Sequence, residues 1–314
     1  MDQISIVIPC FNEEEVLELT AFELEKKLFP TEKELNCMFQ VVFIDDGSTD
    51  KSAEIMENIS SRNVKFRFAK LSRNFGHQAA VSAGLSLCKS SDAIVLLDAD
   101  LQDPISVIPE MIRAWREGKD VVYGQRIQRV GESRFKLRSA HLFYRLLNKM
   151  SDVSIPLDVG DFRLISSRVA KAISQMPESD LFIRGMIAWA GFEQGAIPYV
   201  REARAAGESK YPFKKMISFA LDGLLSFSNR PLRLATYLGV FATTLSLLLT
   251  LYFLIAAMLG VVFERGWLTI IVLILLLGGA QLLTLGVIGE YLGRTYIQTK
   301  NRPNFLIERS SWDL

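Results

Sequence analysis

The sequence predicts an α/β fold, a mostly parallel and doubly wound (Rossmann-like) sheet domain followed by an apolar two-helix hairpin. Three observations carry this. Short β-branched apolar runs alternate with charged helical stretches from residue 1 to about 230, a charge-poor stretch follows from 235 to 289, and acidic clusters stand directly after the apolar runs. Buried strands are expected at 4–8, 40–44, 64–69, 93–97 and 121–123, each bounded by turn or charged residues. Helices are expected between them at 14–28, 50–59, 77–88 and 104–115. In such a sheet ligands bind beyond the carboxyl ends of the strands.

A chain of 314 residues with 49% hydrophobic content can bury one large core or two modest domains. Lys and Arg number 36 against 35 Asp and Glu, so no basic field draws in nucleic acid, and none is expected as a partner. Cys10, Cys37 and Cys88 are odd in number, widely spaced and set among apolar neighbours, which fits reduced core thiols. The first apolar run is too short for a signal peptide and lacks a basic leader, so the first domain is expected to stay in the cytosol.

Residues 235–259 and 267–289 are each long enough to cross a hydrocarbon core of about 30 Å as a helix. Lys214, Lys215, Arg230 and Arg233 precede the first run, and Arg294, Lys300, Arg302 and Arg309 follow the second. Basic flanks put both termini on the cytosolic side. Phe213, Met216, Ile217, Ala220, Leu221 and Leu224 recur at helical spacing just before the first run, as an interfacial amphipathic helix or a helix of the soluble core would. The expected organisation is a sheet domain over 1–210, a juxtamembrane segment over 211–233, a two-span hairpin over 234–290 and a cytosolic tail over 291–314.

Polar motifs fall at the strand ends: Pro9-Cys10-Phe11-Asn12-Glu13-Glu14, Asp45-Asp46-Gly47-Ser48-Thr49-Asp50, and Asp98-Ala99-Asp100-Leu101-Gln102-Asp103. Neither G-x-G-x-x-G nor G-x-x-x-x-G-K-[ST] occurs, which removes two common nucleotide-binding classes. Asp98 and Asp100 offer hard oxygens that suit Mg²⁺ or Mn²⁺ carrying a diphosphate. A solvated loop is the alternative for that pair, and a helix-capping turn, with Asp50 or Ser48 as the cap, is the alternative for the second motif. His77 reads as a surface histidine at a helix start, and His141 as structural.

Together with Arg73-Asn74-Phe75-Gly76, Gly124-Gln125-Arg126, Gly160-Asp161-Phe162-Arg163 and Gly207-Glu208-Ser209-Lys210-Tyr211, these blocks resemble the inverting GT-A glycosyltransferases of family 2. With the hairpin, nearly the whole chain is similar to the polyisoprenyl-phosphate glycosyltransferases, the bactoprenol glucosyltransferase type and the dolichol-phosphate mannose synthases. One departure is His77, where a Lys commonly follows Asn-x-Gly.

The resemblance implies that Pro9, Phe11, Asn12 and Glu13 line the nucleoside site with Asn74, that Asp46 contacts base or ribose, and that Asp98 and Asp100 engage diphosphate and metal. Gln102 and Arg126 lie close by. Asp161, with Asp100 and Arg126, falls in the catalytic set, either orienting the acceptor or acting as base. Arg163 pairs with Asp161 or meets the acceptor phosphate. Arg201, Arg204, Lys210 and Tyr211, lying between the domain and the membrane helix, suit a grip on that phosphate, with a solvated loop as the rival.

The implied reaction is inverting transfer of a hexose, UDP-glucose being the first choice of donor, to a polyisoprenyl (undecaprenyl) phosphate at the cytosolic face of a bacterial inner membrane. GDP-mannose, UDP-N-acetylhexosamine or a modified pentose donor stand behind it. A homo-oligomer, with a tetramer as one form, is expected. Two other classes compete. A processive polysaccharide synthase would need a Gln-x-x-Arg-Trp motif, which is absent, and a membrane scaffold with a degenerate transferase domain would not need intact acidic motifs.

Overall fold

A computed structural model describes residues 1–128, 159–178, 181–200, 230–259 and 266–312. Among these, eight strands form one sheet: β1 (Asp2–Cys10), β2 (Cys37–Asp45), β3 (Phe66–Leu71), β4 (Ala93–Leu96), β5 (Val121–Gln128), β6 (Val159–Ser166), β7 (Gln194–Val200) and β8 (Ile307–Ser310). Their order is β7-β5-β6-β4-β1-β2-β3-β8. β1 pairs in parallel with both β2 and β4, and β2 with β3. Only β6 and β8 are reversed. The mostly parallel sheet expected from the sequence is therefore present, and each of the five expected strands is matched.

Helices α1 (Leu17–Lys27), α2 (Glu32–Leu35), α3 (Ser52–Arg62), α4 (His77–Leu87), α5 (Ile108–Arg116), α6 (Ser167–Ser174) and α7 (Ile183–Trp189) cover the sheet. Alternation along β1 shows why both faces need cover. Ile4, Ile6 and Ile8 enter one core with Leu17, Leu24, Phe43 and Met111, whereas Val7 enters the other with Val81, Leu85, Ile183 and Met186. Cys10, Cys37 and Cys88 are buried free thiols, as expected for core residues.

Two further helices follow, α8 (Arg230–Met258) of 29 residues and α9 (Trp267–Thr299) of 33. They pack against each other along a cleft lined by Gly239, Thr243, Leu277 and Gln281. Among the described residues no helix is long and apolar enough to cross a membrane, and several side chains of both helices fall outside that description. The two spans expected from the sequence are thus not established by the fold.

Two boundaries differ from expectation. Helix α9 continues to Thr299 instead of stopping at 289, because Glu290, Arg294 and the residues around them are ordinary helix formers once outside an apolar run. The expected tail instead returns as β8, antiparallel to β3, with Lys70 opposite Arg309. Arg67 donates to the Ser311 carbonyl at 2.8 Å and its guanidinium lies over the Trp312 ring, while Phe305, Ile307 and Trp312 pack on the second core. The last residues thereby close the exposed edge of β3.

Candidate active site

The first two acidic loops are stitched together. Asn12, at a positive φ of 55°, donates its N–H to Ser48 Oγ at 2.9 Å and accepts from the Thr49 N–H at 2.9 Å. The Glu13 N–H donates to Ser52 Oγ at 2.8 Å, and Glu14 accepts from the Lys51 N–H at 3.1 Å. Asp50 accepts from the Ser52 N–H at 2.9 Å, just before α3, whose N-cap residue is Lys51 with no side-chain cap hydrogen bond. Phe11 is 40% exposed beside them, whereas Pro9 is buried within β1.

Asp46 is turned toward the protein. Its two oxygens accept the N–H groups of Phe75 and Gly76 at 2.8 and 2.9 Å, and it is 3% exposed. A carboxylate so enclosed pins the 73–76 loop. Burial pushes its pKa up, with those two hydrogen bonds pulling the other way. Gly47 lies in the same contact with φ of +68°, and a Cβ there would stand 2.4 Å from the Arg73 carbonyl carbon, so only glycine fits. Asn74 is held exposed at this rim.

Asp98 and Asp161 reach the site from opposite directions. β4 ends at Leu96, which pairs with Arg163 of antiparallel β6. Two residues further along β4 and two back along β6 bring Asp98 level with Asp161. Burial pushes the Asp98 carboxyl up to about 6, opposed by His77 and reinforced by Asp161, Asp103 and Asp100. Asp100 accepts the Gln102 N–H at 3.1 Å, closing the turn. This carboxylate set offers hard oxygens, which fits a divalent cation. Among the described residues no group of three or more acidic, His or Cys side chains could hold a metal. A pair of carboxylates completed by water and phosphate is the arrangement Mg²⁺ commonly takes.

The Asp161 carboxylate is held on both sides. Arg184 Nε donates to Oδ1 at 2.7 Å, and His77 Nε2 lies 3.2 Å from Oδ2. Burial alone would raise the Asp161 pKa, but the Arg184 charge and the bonds from both residues bring it well below the usual carboxylate range. Burial lowers the His77 pKa, and the Asp161 contact more than reverses that, leaving it raised. His77 is therefore part of the site and not an isolated surface residue. Arg163 is 4% exposed and donates to the Gly160 carbonyl at 2.7 Å. Enclosed in this way, it has its pKa pushed down to about 10 by burial, against the pull of the Asp161 charge.

Arg126 is fixed from its other side. The parallel ladder sets it opposite Tyr199, to whose hydroxyl its Nε donates at 3.1 Å, and that hydroxyl donates in turn to buried Asp103. A Cβ on Gly160 would stand 2.5 Å from Arg126 Nη2, so the glycine leaves room for the guanidinium. Arg201, Arg204, Lys210 and Tyr211, together with the amphipathic stretch 213–224 and His141, lie outside the described residues.

The family model for glycosyl transferase family 2 matches residues 5–174, more than half of the chain and all three acidic loops. The chain belongs to glycosyl transferase family 2. It is 42% identical over 308 residues to the uncharacterized glycosyltransferase YkcC of Bacillus subtilis, covering 98% of this chain and 94% of that one. It is 41% identical over 311 residues to the SfII prophage-derived bactoprenol glucosyl transferase of Shigella flexneri, covering 98% of each. Among solved structures, the mannosyltransferase PcManGT from Pyrobaculum calidifontis, in complex with GDP-Man and Mn²⁺, matches loosely, at a TM-score of 0.45 and 15% identity over 90% of this chain and 87% of that one.

For this family 2 glycosyltransferase, sequence reasoning missed Arg184, Tyr199 and Asp103 as site groups. Arg184 stands in a short helix, far along the chain from the acidic motifs, and a single Arg at a helix start carries no pattern. The signal for Tyr199 is that a tyrosine in an alternating strand needs a partner for its hydroxyl when buried.

Proposed function

We propose that this chain transfers a hexose, UDP-glucose being the preferred donor, to the phosphate of a polyisoprenyl carrier at the cytosolic face of a bacterial inner membrane, with inversion at the anomeric carbon. The observation that carries this reading is the path of the tail. Leaving α9, the chain meets the Glu178 carbonyl through Asn304 at 2.9 Å, receives the Ser72 N–H on the Leu306 carbonyl at 2.9 Å, and enters the sheet opposite Leu71. Leu71 is the carboxyl end of β3, so the apolar hairpin joins the domain on the same edge as Asp98, Asp161 and Arg126. An acceptor buried by its lipid in a bilayer needs that arrangement.

The membrane hairpin itself is part of the proposal. Helix α8 carries charge only at Arg230 and Arg233, and at about 1.5 Å per residue its 29 residues span about 43 Å. Tyr237, Phe241, Leu248, Leu282 and Leu292 are each more than half exposed, an apolar surface well beyond what a soluble monomer leaves in water. Identity of 41% with a bactoprenol glucosyl transferase over nearly the full chain supports the lipid acceptor.

In the proposed reaction an oxygen of the lipid phosphate attacks the sugar C1 from the face opposite the nucleoside diphosphate, which leaves with the bonding pair. Asp98 and Asp100 would hold Mg²⁺ or Mn²⁺, which supplies positive charge to the departing diphosphate. Arg126, locked by Tyr199, adds a fixed cation nearby. A phosphate monoester is largely dianionic at neutral pH, its second pKa being about 6, so the acceptor needs little help from a base. Asp161, held well below the ordinary range, is a poor proton acceptor and acts by orienting the acceptor.

Membranes containing the protein, incubated with undecaprenyl phosphate and a panel of labelled nucleotide-sugars, should pass label from UDP-glucose into an organic-extractable product. Label that moves only to water, or only to a growing polymer, overturns the reading.

A further inference from the structure

We infer that Arg184 is a positioning residue for Asp161, with His77 as its counterpart, so that two helix starts form a clamp that fixes the carboxylate facing the acceptor. The inference rests on the proposed role of Asp161 in orienting the acceptor phosphate.

The clamp is built by the fold and not by a chance surface contact. Helices α4 and α7 begin side by side, and the Ile183 N–H donates to Gln78 Oε1 at 3.0 Å. That bond stitches the two helix starts together. The residue next to each stitched partner is a base: His77 precedes Gln78, and Arg184 follows Ile183. Each takes a different oxygen of Asp161. Arg184 is itself anchored, because its Nη1 donates to the Val159 carbonyl at 3.0 Å, on the strand that carries Asp161. A guanidinium gripping backbone and carboxylate of one strand sets the carboxylate's rotation as well as its charge.

The need for a clamp follows from the surroundings. Asp98 comes level with Asp161 at the end of the sheet, and Asp100 and Asp103 are near, so an untethered Asp161 would be driven to rotate away from like charge or to take up a proton. Arg163, two residues along the same face of β6, donates to the Gly160 carbonyl instead. The obvious rival is that the Arg184 pair merely holds α7 to the sheet. A fold-holding pair would affect stability but not turnover of the folded enzyme.

The test uses the full chain purified in detergent, with Arg184→Gln, Arg184→Lys, Asp161→Asn and the Asp161→Asn/Arg184→Gln double variant. Turnover, donor and acceptor KM, and the midpoint of thermal unfolding are measured for each. Expected is a kcat about ten-fold or more below wild type for Arg184→Gln with donor KM within about two-fold, partial recovery in Arg184→Lys, and a double variant no slower than Asp161→Asn alone. The last result arises because nothing is left to position once the carboxylate is gone.

Wild-type turnover in Arg184→Gln alongside a severe loss in Asp161→Asn overturns the clamp and spares the role of Asp161. Wild-type turnover in Asp161→Asn overturns the role of Asp161 itself. If Arg184→Gln does not fold, Arg184→Lys and Gln78→Leu decide: kcat equal to wild type in both, with only the unfolding midpoint lowered, refutes positioning.

Discussion

Replacing Asp46 by Asn separates two readings of the second acidic loop. If Asp46 contacts the nucleoside, the change weakens donor binding and leaves the fold alone. The structure instead has both oxygens occupied by the Phe75 and Gly76 N–H groups, at 2.8 and 2.9 Å, in a site that is 3% exposed. Asparagine keeps one acceptor and turns an amide donor toward the other N–H. One charge-assisted hydrogen bond, about 1.5–3 kcal/mol, is lost, and a buried N–H is left without a partner at about 1–3 kcal/mol. The two costs overlap, so about 3 kcal/mol of destabilisation is expected. For a domain of this size each kcal/mol moves the thermal midpoint by about 2–4 °C, so the midpoint should fall by about 6–12 °C. Thermal unfolding of the detergent-purified protein, followed by intrinsic fluorescence, reads this directly. A midpoint within about 2 °C of wild type, accompanied by weaker UDP-sugar binding, would refute the structural role and restore the ribose contact.

Three further outcomes are expected. The Asp161–His77 contact should give a pH-dependent stability. The raised His77 contributes fully below about pH 6.5 and loses its contribution as pH rises through its folded pKa, whereas the lowered Asp161 contributes above about pH 4 and loses it as pH falls through its own. The His77→Gln midpoint should therefore lie further below wild type at about pH 5.5 than at about pH 8.5. Tyr199→Phe removes the hydroxyl that joins Arg126 to Asp103, and should lower stability by about 1–3 kcal/mol and reduce turnover, measured by unfolding and by transfer assay. Ending the chain after Arg302 removes β8 and the partly buried Phe305, Ile307 and Trp312, at about 1–2 kcal/mol each, so limited proteolysis should cut the sheet domain much faster.

The five strands and four helices expected from the sequence were legible because buried parallel strands of Val and Ile, broken by charged stretches of helical spacing, have few other uses. β6, β7 and β8 were not. β6 begins Val159-Gly160-Asp161 and carries a buried Arg163, which breaks the apolar run that marks a strand. β8 reads Ile-Glu-Arg-Ser and is a strand only because the edge of β3 lacks a partner. For the site, the acidic loops were visible as motifs, since a turn after a strand must carry its polar groups in a short stretch.

Which member of a motif faces a ligand and which faces the protein was decided elsewhere. Asp46 and Arg163 looked like binding groups and are enclosed, while His77 looked incidental and contacts Asp161. The sequence alone determined the parallel sheet and the acidic edge, because composition and periodicity act locally. Only the tertiary structure decided that β6 runs backward to bring Asp161 level with Asp98, that Gln78 and Ile183 hold His77 and Arg184 on its two oxygens, and that the tail returns to the acidic edge. His77 and Asp161 are 84 residues apart and Gln78 and Ile183 are 105, and distance along a chain leaves no periodic signal.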